Sequence, residues 1–144
     1  MTALGIGLHC PHQAVGGITD RTAAAATRTG TQGSVFFNGE YYDNVFIRFR
    51  GGFTSTGSKK FDFNTGAHCR INDTVGRVEE ANINGTGSAD SVIRPPVSFE
   101  MYRRAGHPSS ECFNVMIRMN GALDTGSGRG GIGYFVEQID ERWL

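Results

Sequence analysis

The sequence carries no excess of charge, no long apolar run, no basic leader and no paired cysteine framework. Lys plus Arg and Asp plus Glu each number 14 in 144 residues, so the formal net charge is zero. That balance excludes a nucleic-acid binder whose affinity rests on bulk positive charge. No apolar stretch approaches the roughly 20 residues that a membrane-spanning helix needs, so no membrane partner is expected. Residues Met1–His12 lack the basic and apolar regions of a signal peptide. Three cysteines, Cys10, Cys69 and Cys112, are an odd and widely spaced set. They read as reduced thiols, which suits a cytoplasmic location. With 19% charged and 38% hydrophobic residues, the chain is neither a disordered polyelectrolyte nor a coiled coil.

What is plentiful is glycine, 21 residues of 144. Average usage is about 7%, so turns are frequent and long helices disfavoured. Residues 1–33, rich in Gly, Ala and Thr, read as an irregular N-terminal segment. Residues 34–144 read as a single domain. Ser34-Val35-Phe36-Phe37, Asn38-Gly39 and Glu40-Tyr41-Tyr42 form a hairpin signal, because Asn-Gly tolerates the positive φ of a type I′ turn. In the strand Val45–Arg50, alternation sends Val45, Ile47 and Phe49 to one face and Phe46, Arg48 and Arg50 to the other. Lys59–Asn64 is a further strand with Phe61 and Phe63 on one face, and Ala67–Ile71 is a candidate to pair with it. Arg77–Asn82 is a weaker candidate.

One helix follows Pro95-Pro96, which suit a first turn. Val97, Met101 and Ala105 repeat at i, i+4 and i+8, Gly106 suits the C′ position, and Pro108 blocks continuation. Phe113–Asn120 alternates as a strand, and Ile132–Gln138 returns as its partner after a Gly-rich loop. The fold expected is α+β: an antiparallel, twisted sheet of five to seven strands with one main helix packed on it.

Among candidate sites, Gly126-Ser127-Gly128-Arg129-Gly130-Gly131 fits G-x-G-x-x-G but lies between strands, where a dinucleotide-binding loop does not occur. Gly52–Lys59 falls short of a phosphate-binding P-loop because Ser58 separates Gly57 from Lys59. A looser anion site fits better, with the small residues of that loop beside Arg48, Arg50, Lys59 and Lys60. The competing reading is a solvated basic face. His9-Cys10-Pro11-His12 and His68-Cys69 match no metal spacing, so no metal is expected. Cys112 reads as a small core residue. Glu137 and Asp140 serve either as helix-start groups or as site residues.

Several of these pieces, in order, resemble the N-terminal part of the CotH-type spore-coat protein kinase family. Tyr41–Gly52 is similar to that family's strand ending in Arg-x-Arg-Gly, and Lys59-Lys60-Phe61-Asp62-Phe63 to its Lys-Lys-aromatic strand. Asp90–Arg94 and Phe99–Pro108 resemble the helix ending in aromatic-Arg-x-x-Gly-x-Pro. Val115–Gly121 resembles the next strand and turn, and Gly133–Asp140 with Trp143-Leu144 the Gly-x-Tyr, Glu-x-x-Asp and aromatic-Leu pattern. The Pro95-Pro96 pair departs from the family's helix start.

The resemblance implies an atypical kinase-like fold, with ATP and magnesium as the cofactors and Ser or Thr of proteins as the phosphoryl acceptor. Its metal-binding aspartates belong to a later segment, which this chain does not reach, so no catalytic residue is assigned. By position, Arg48, Arg50, Ser58, Lys59, Lys60 and Glu137 are the residues that would bind phosphate or nucleotide. Two functions follow as expectations. One is a non-catalytic interaction module; the other is an ATP- or phosphate-binding half-kinase completed by another chain. A twofold homodimer, with Trp143-Leu144 near the contact, is the expected assembly, and another protein is the alternative partner.

Overall fold

The computed structural model describes residues 5–9, 30–50, 58–64, 66–85, 92–124 and 131–139, the first of these as backbone alone. The Gly-rich stretches 51–57 and 125–130, and the pair Trp143-Leu144, lie outside the described residues.

In chain order the elements are β1 (Gly5–His9), β2 (Gly30–Phe37), β3 (Glu40–Phe49), β4 (Lys59–Asp62), β5 (Cys69–Asn72), β6 (Gly76–Val78), β7 (Glu80–Asn84), α1 (Arg94–Arg104), β8 (Cys112–Met119), β9 (Ala122–Leu123) and β10 (Ile132–Val136). The fold is α+β, a mainly antiparallel sheet with one helix among the described residues. The main sheet runs β1-β2-β3-β4-β7-β10-β8-β9, and β1 also pairs with β8. That last pairing is parallel, Gly5–Leu8 against Met116–Met119, and it curls the sheet into a ring of seven strands. β5 and β6 form a separate two-stranded ribbon.

Two parts of the segment expected to be irregular are therefore strands. Gly5–His9 gains ladder partners on both edges, β2 and β8, which its short alternating pattern alone did not announce. β2 begins at Gly30, four residues earlier than the Ser34 start expected from pattern. Ala67–Ile71 does not pair with β4; Cys69–Asn72 turns back onto Gly76–Val78 instead, and β4 takes β3 and β7 as neighbours.

The hairpin at Asn38-Gly39 forms as its sequence dictates, with φ of 50° and 83° at the two turn residues. Asn120-Gly121 repeats the device between β8 and β9, at 52° and 82°. Glu40–Phe49 is one strand rather than two, interrupted by a bulge. Gly33 opposes Val45 and Val35 opposes Tyr42, so Asp43 and Asn44 together face Ser34 alone. Asn44 takes a left-handed φ of 54°, and Ser34 Oγ donates to Asp43 Oδ1 at 2.8 Å. The extra residue switches the alternation, which is why Tyr42 and Val45, three apart, both point inward.

Inside the ring, alternate residues meet. Val45, Val115, Ile117 and Phe135 are at most 2% exposed, and Phe113 stacks on Phe135 at 4.9 Å between centroids. Phe61 and Phe63 share the buried face expected of them, whereas Phe49, at the end of its strand, is exposed. The ribbon is tied to the ring through Tyr42, whose hydroxyl accepts from Arg70 N at 2.9 Å and donates to Glu40 Oε2 at 2.7 Å. Arg77 of β6 reaches the same Glu40 carboxylate at 3.1 Å.

Helix α1 has Pro95 and Pro96 in its first turn and Gly106, at φ 80°, just beyond its end. It lies against β8, yet none of its residues is buried. Its Val97–Met101 repeat, which as an apolar stripe would be expected to pack inward, faces out. No helix among the described residues is long and apolar enough to cross a membrane.

Two outcomes are expected. A Cβ at Gly133 would sit 2.7 Å from Asn84 O and 3.1 Å from Ile117 Cδ1. Backbone of β7 cannot yield, so Gly133→Ala should lower the urea-unfolding free energy by about 1–3 kcal/mol. The second concerns alkali. Burial pushes the Cys69 thiol from 9.0 up to about 12 and the Tyr42 hydroxyl from 10.0 up to about 12. Their folded values lie above their unfolded ones, so this stability is complete below pH 9.0 and is lost as pH climbs towards 12. Urea midpoints should fall across that window, and the fall should be shallower in Tyr42→Phe/Cys69→Ala.

Candidate functional site

Consecutive residues of a strand point to opposite faces, and this decides the fate of the two lysines of β4. Lys59 shares the inward face with Phe61 and Phe63; Lys60 shares the outer face with Asp62. Lys60 stands opposite Arg48 of β3, and Asp62 stands opposite Glu80 of β7. The outer wall thus carries a row of cations beside a row of carboxylates. Like charges directly across a sheet repel, and the bonds run diagonally between the rows. Lys60 Nζ meets Glu80 Oε2 at 2.5 Å, and Arg48 Nε meets Asp62 Oδ2 at 3.4 Å.

Asp62 is held above the usual carboxylate range, first by burial, with Glu80 adding to it and Arg48 opposing. In the cation row, across from Lys60, lies Asn82, only 2% exposed, which donates through Nδ2 to Gln138 Oε1 at 2.7 Å. Two acceptor atoms of this wall, Asp62 Oδ1 and Asn82 Oδ1, have no hydrogen-bond partner among the described residues.

Lys59 closes the end of the ring. Its ammonium lies 2.5 Å from Asp124 Oδ2, with the two side chains 8% and 10% exposed. Asp124 is fixed there because its N–H donates to Ile117 O of β8 at 3.0 Å. The pair therefore crosses the mouth from β4 to the β8–β9 side. At the same rim, Ser58 Oγ accepts from Gly85 N at 3.1 Å, Ser58 O accepts from Arg50 N at 2.9 Å, and Arg50 Nη1 donates to Asn84 Oδ1 at 2.5 Å.

The residues singled out by sequence are thus distributed over three places. Arg50, Ser58 and Lys59 gather at one rim. Arg48 and Lys60 stand together on the outer wall. Glu137 continues β10, where its N–H donates to Glu111 O at 2.9 Å and its carboxylate accepts from Glu111 N at 3.0 Å. Sequence reasoning did not find Asp124, Glu80, Asn82 or Asn84. The alternation of Lys60 with Asp62 hinted at paired charge on one face; nothing local announces Asp124, 65 residues from its lysine.

Ligand space inside the ring is small. A cavity of about 20 Å³ lies among Val35, Phe37, Phe61, Ile83 and Phe135. That is room for about one water molecule, and an apolar void of this size stays dry. Among the described residues no three His, Cys, Asp or Glu side chains come together as a metal site. Cys69 and Cys112 are free thiols, and burial pushes both up to about 12, far from a nucleophile at neutral pH.

No protein-family model matches the chain, and no curated protein matches it.

Removing one member of the rim pair takes from the other a buried ionic partner 2.5 Å away, a loss of the kind that costs about 3–5 kcal/mol. Lys59→Met and Asp124→Leu should each destabilise by that order in urea unfolding. The double variant should lose less than the sum of the two single ones, because the Lys59–Asp124 coupling can be lost only once.

Proposed function

We propose that the chain is a non-catalytic protein-interaction module, with the outward face of α1 as its contact surface. The observation that carries this reading is that Ile93, Val97 and Met101 are 61%, 47% and 66% exposed on a helix whose other side rests on β8. Exposed apolar side chains in one stripe are the mark of a surface made to be covered. The supporting observation is the state of the cations. Arg48, Lys59 and Lys60 each face a carboxylate of the chain, and Arg50 faces Asn84. An anion arriving there would have to displace existing partners. On this reading the motifs shared with the front part of CotH-type kinases mark a related scaffold put to binding, and the reduced thiols suit the cytoplasm.

A second reading has one observation in its favour. Arg50, Ser58 and Lys59 do share a rim, as a phosphate- or nucleotide-binding half-kinase would require. Calorimetry separates the two. Titration with magnesium and ATP to millimolar concentration should give no binding heat. Heat that disappears in Lys59→Ala/Lys60→Ala would replace the interaction module with the half-kinase.

A further inference from the structure

Resting on the reading of α1 as a contact surface, we infer that its partner is an amphipathic helix bearing carboxylates at both ends of an apolar stripe. At 100° per residue, Ile93, Val97, Met101 and Arg104 fall within about 80° of the helix circumference, and Arg94 lies about 20° outside it. The apolar stripe is therefore bracketed by a cation at each end. Arg94 and Arg104 are ten positions apart on α1, or about 15 Å along its axis. Arg94 is exposed, and the Arg104 side chain is 79% exposed. The one acid of the helix, Glu100, is already engaged by Arg103 and by Arg104 Nε at 2.8 Å. The first turn contains no acid, and the last turn ends in two arginines. Arg103 also meets Glu111, so three arginines stand against two carboxylates, and the face offers apolar area together with one net positive charge, which is complementary to an acidic amphipathic segment.

A second copy of this chain fits the face poorly. Antiparallel pairing that sets Val97 against the partner's Met101 would cover the stripe most fully. It also brings Arg94 level with the partner's Arg104, twice over by symmetry. Like charges would then flank the contact on both sides, where a partner with glutamates at those levels meets attraction.

The test uses the full chain and two synthetic helical peptides. Both carry leucines at i, i+4 and i+8. One has glutamates at the two levels that face Arg94 and Arg104; the other has lysines there. Fluorescence anisotropy should show the acidic peptide binding at least tenfold tighter at low salt, with the advantage shrinking as salt rises. Arg94→Glu/Arg104→Glu should reverse the preference, and Val97→Asp should abolish binding of both peptides while leaving the melting temperature within a few degrees. Equal binding of the two peptides, still abolished by Val97→Asp, overturns the acidic partner and leaves the contact surface standing. Binding indifferent to Val97→Asp overturns the contact surface itself. A dimer in sedimentation that Met101→Asp dissociates, with neither peptide bound, makes the occupant a second copy and overturns the inference.

Discussion

The closure of the sheet by the parallel β1–β8 seam is the constraint on which the rest of the molecule depends. Without it β1 and β8 would each present an unpaired edge, open to pairing with another chain. With it, every strand of the ring has two neighbours, and all inward residues share one lumen. Val35, Val45, Phe61, Ile83, Val115 and Phe135 come from six strands spread round the ring and meet there. The cavity among these side chains, about 20 Å³, is too small for a substrate, and the described rim, outer wall and appended helix are the surfaces that face outward.

The same closure explains why the charged residues are so heavily engaged. A lysine pointing into a filled ring needs an anion within reach, and Lys59 finds Asp124 across the mouth. On the outer wall the sheet is continuous through β3, β4 and β7, so charges on neighbouring strands stand at fixed, short spacings. Cation row and carboxylate row satisfy one another there with little freedom to turn towards an incoming phosphate. Two adjacent lysines that look like one basic patch in the sequence are, on a strand, two separate electrostatic units on opposite faces.

Much of this was legible beforehand because it is local. Asn38-Gly39 dictates its turn through φ alone. Pro95, Pro96 and Gly106 punctuate the helix, and Phe61 and Phe63 share a face because strands alternate. What was not legible depends on distance along the chain. The β1–β8 seam joins residues more than a hundred positions apart, in a Gly-rich stretch with little side-chain pattern. Asp124 gains its meaning only from Lys59. The bulge at Asp43-Asn44 breaks the alternation along Glu40–Phe49, so that one strand reads as two. Helical periodicity marks an apolar stripe on α1 but carries no information about which way the stripe will turn.

The direction is set by polar tethers on the other side of the helix. Asn114 Nδ2 of β8 donates to Val92 O at 2.9 Å, just before the first turn. Ser109 Oγ donates to Phe99 O at 2.8 Å, and Arg103 Nη1 meets Glu111 Oε2 at 2.5 Å. These contacts fix both ends of α1 and its rotation, and they leave Phe99, Pro95 and Pro96 half-buried while Val97 and Met101 face out. Rolling the helix to bury the stripe would gain apolar contact but break all three tethers and turn Phe99 to solvent. Apolar burial is worth about 25 cal/mol per Å², comparable over a few side chains with the hydrogen bonds that would be lost. The orientation is therefore a close balance within the chain, and coverage of the stripe from outside adds burial without breaking any tether.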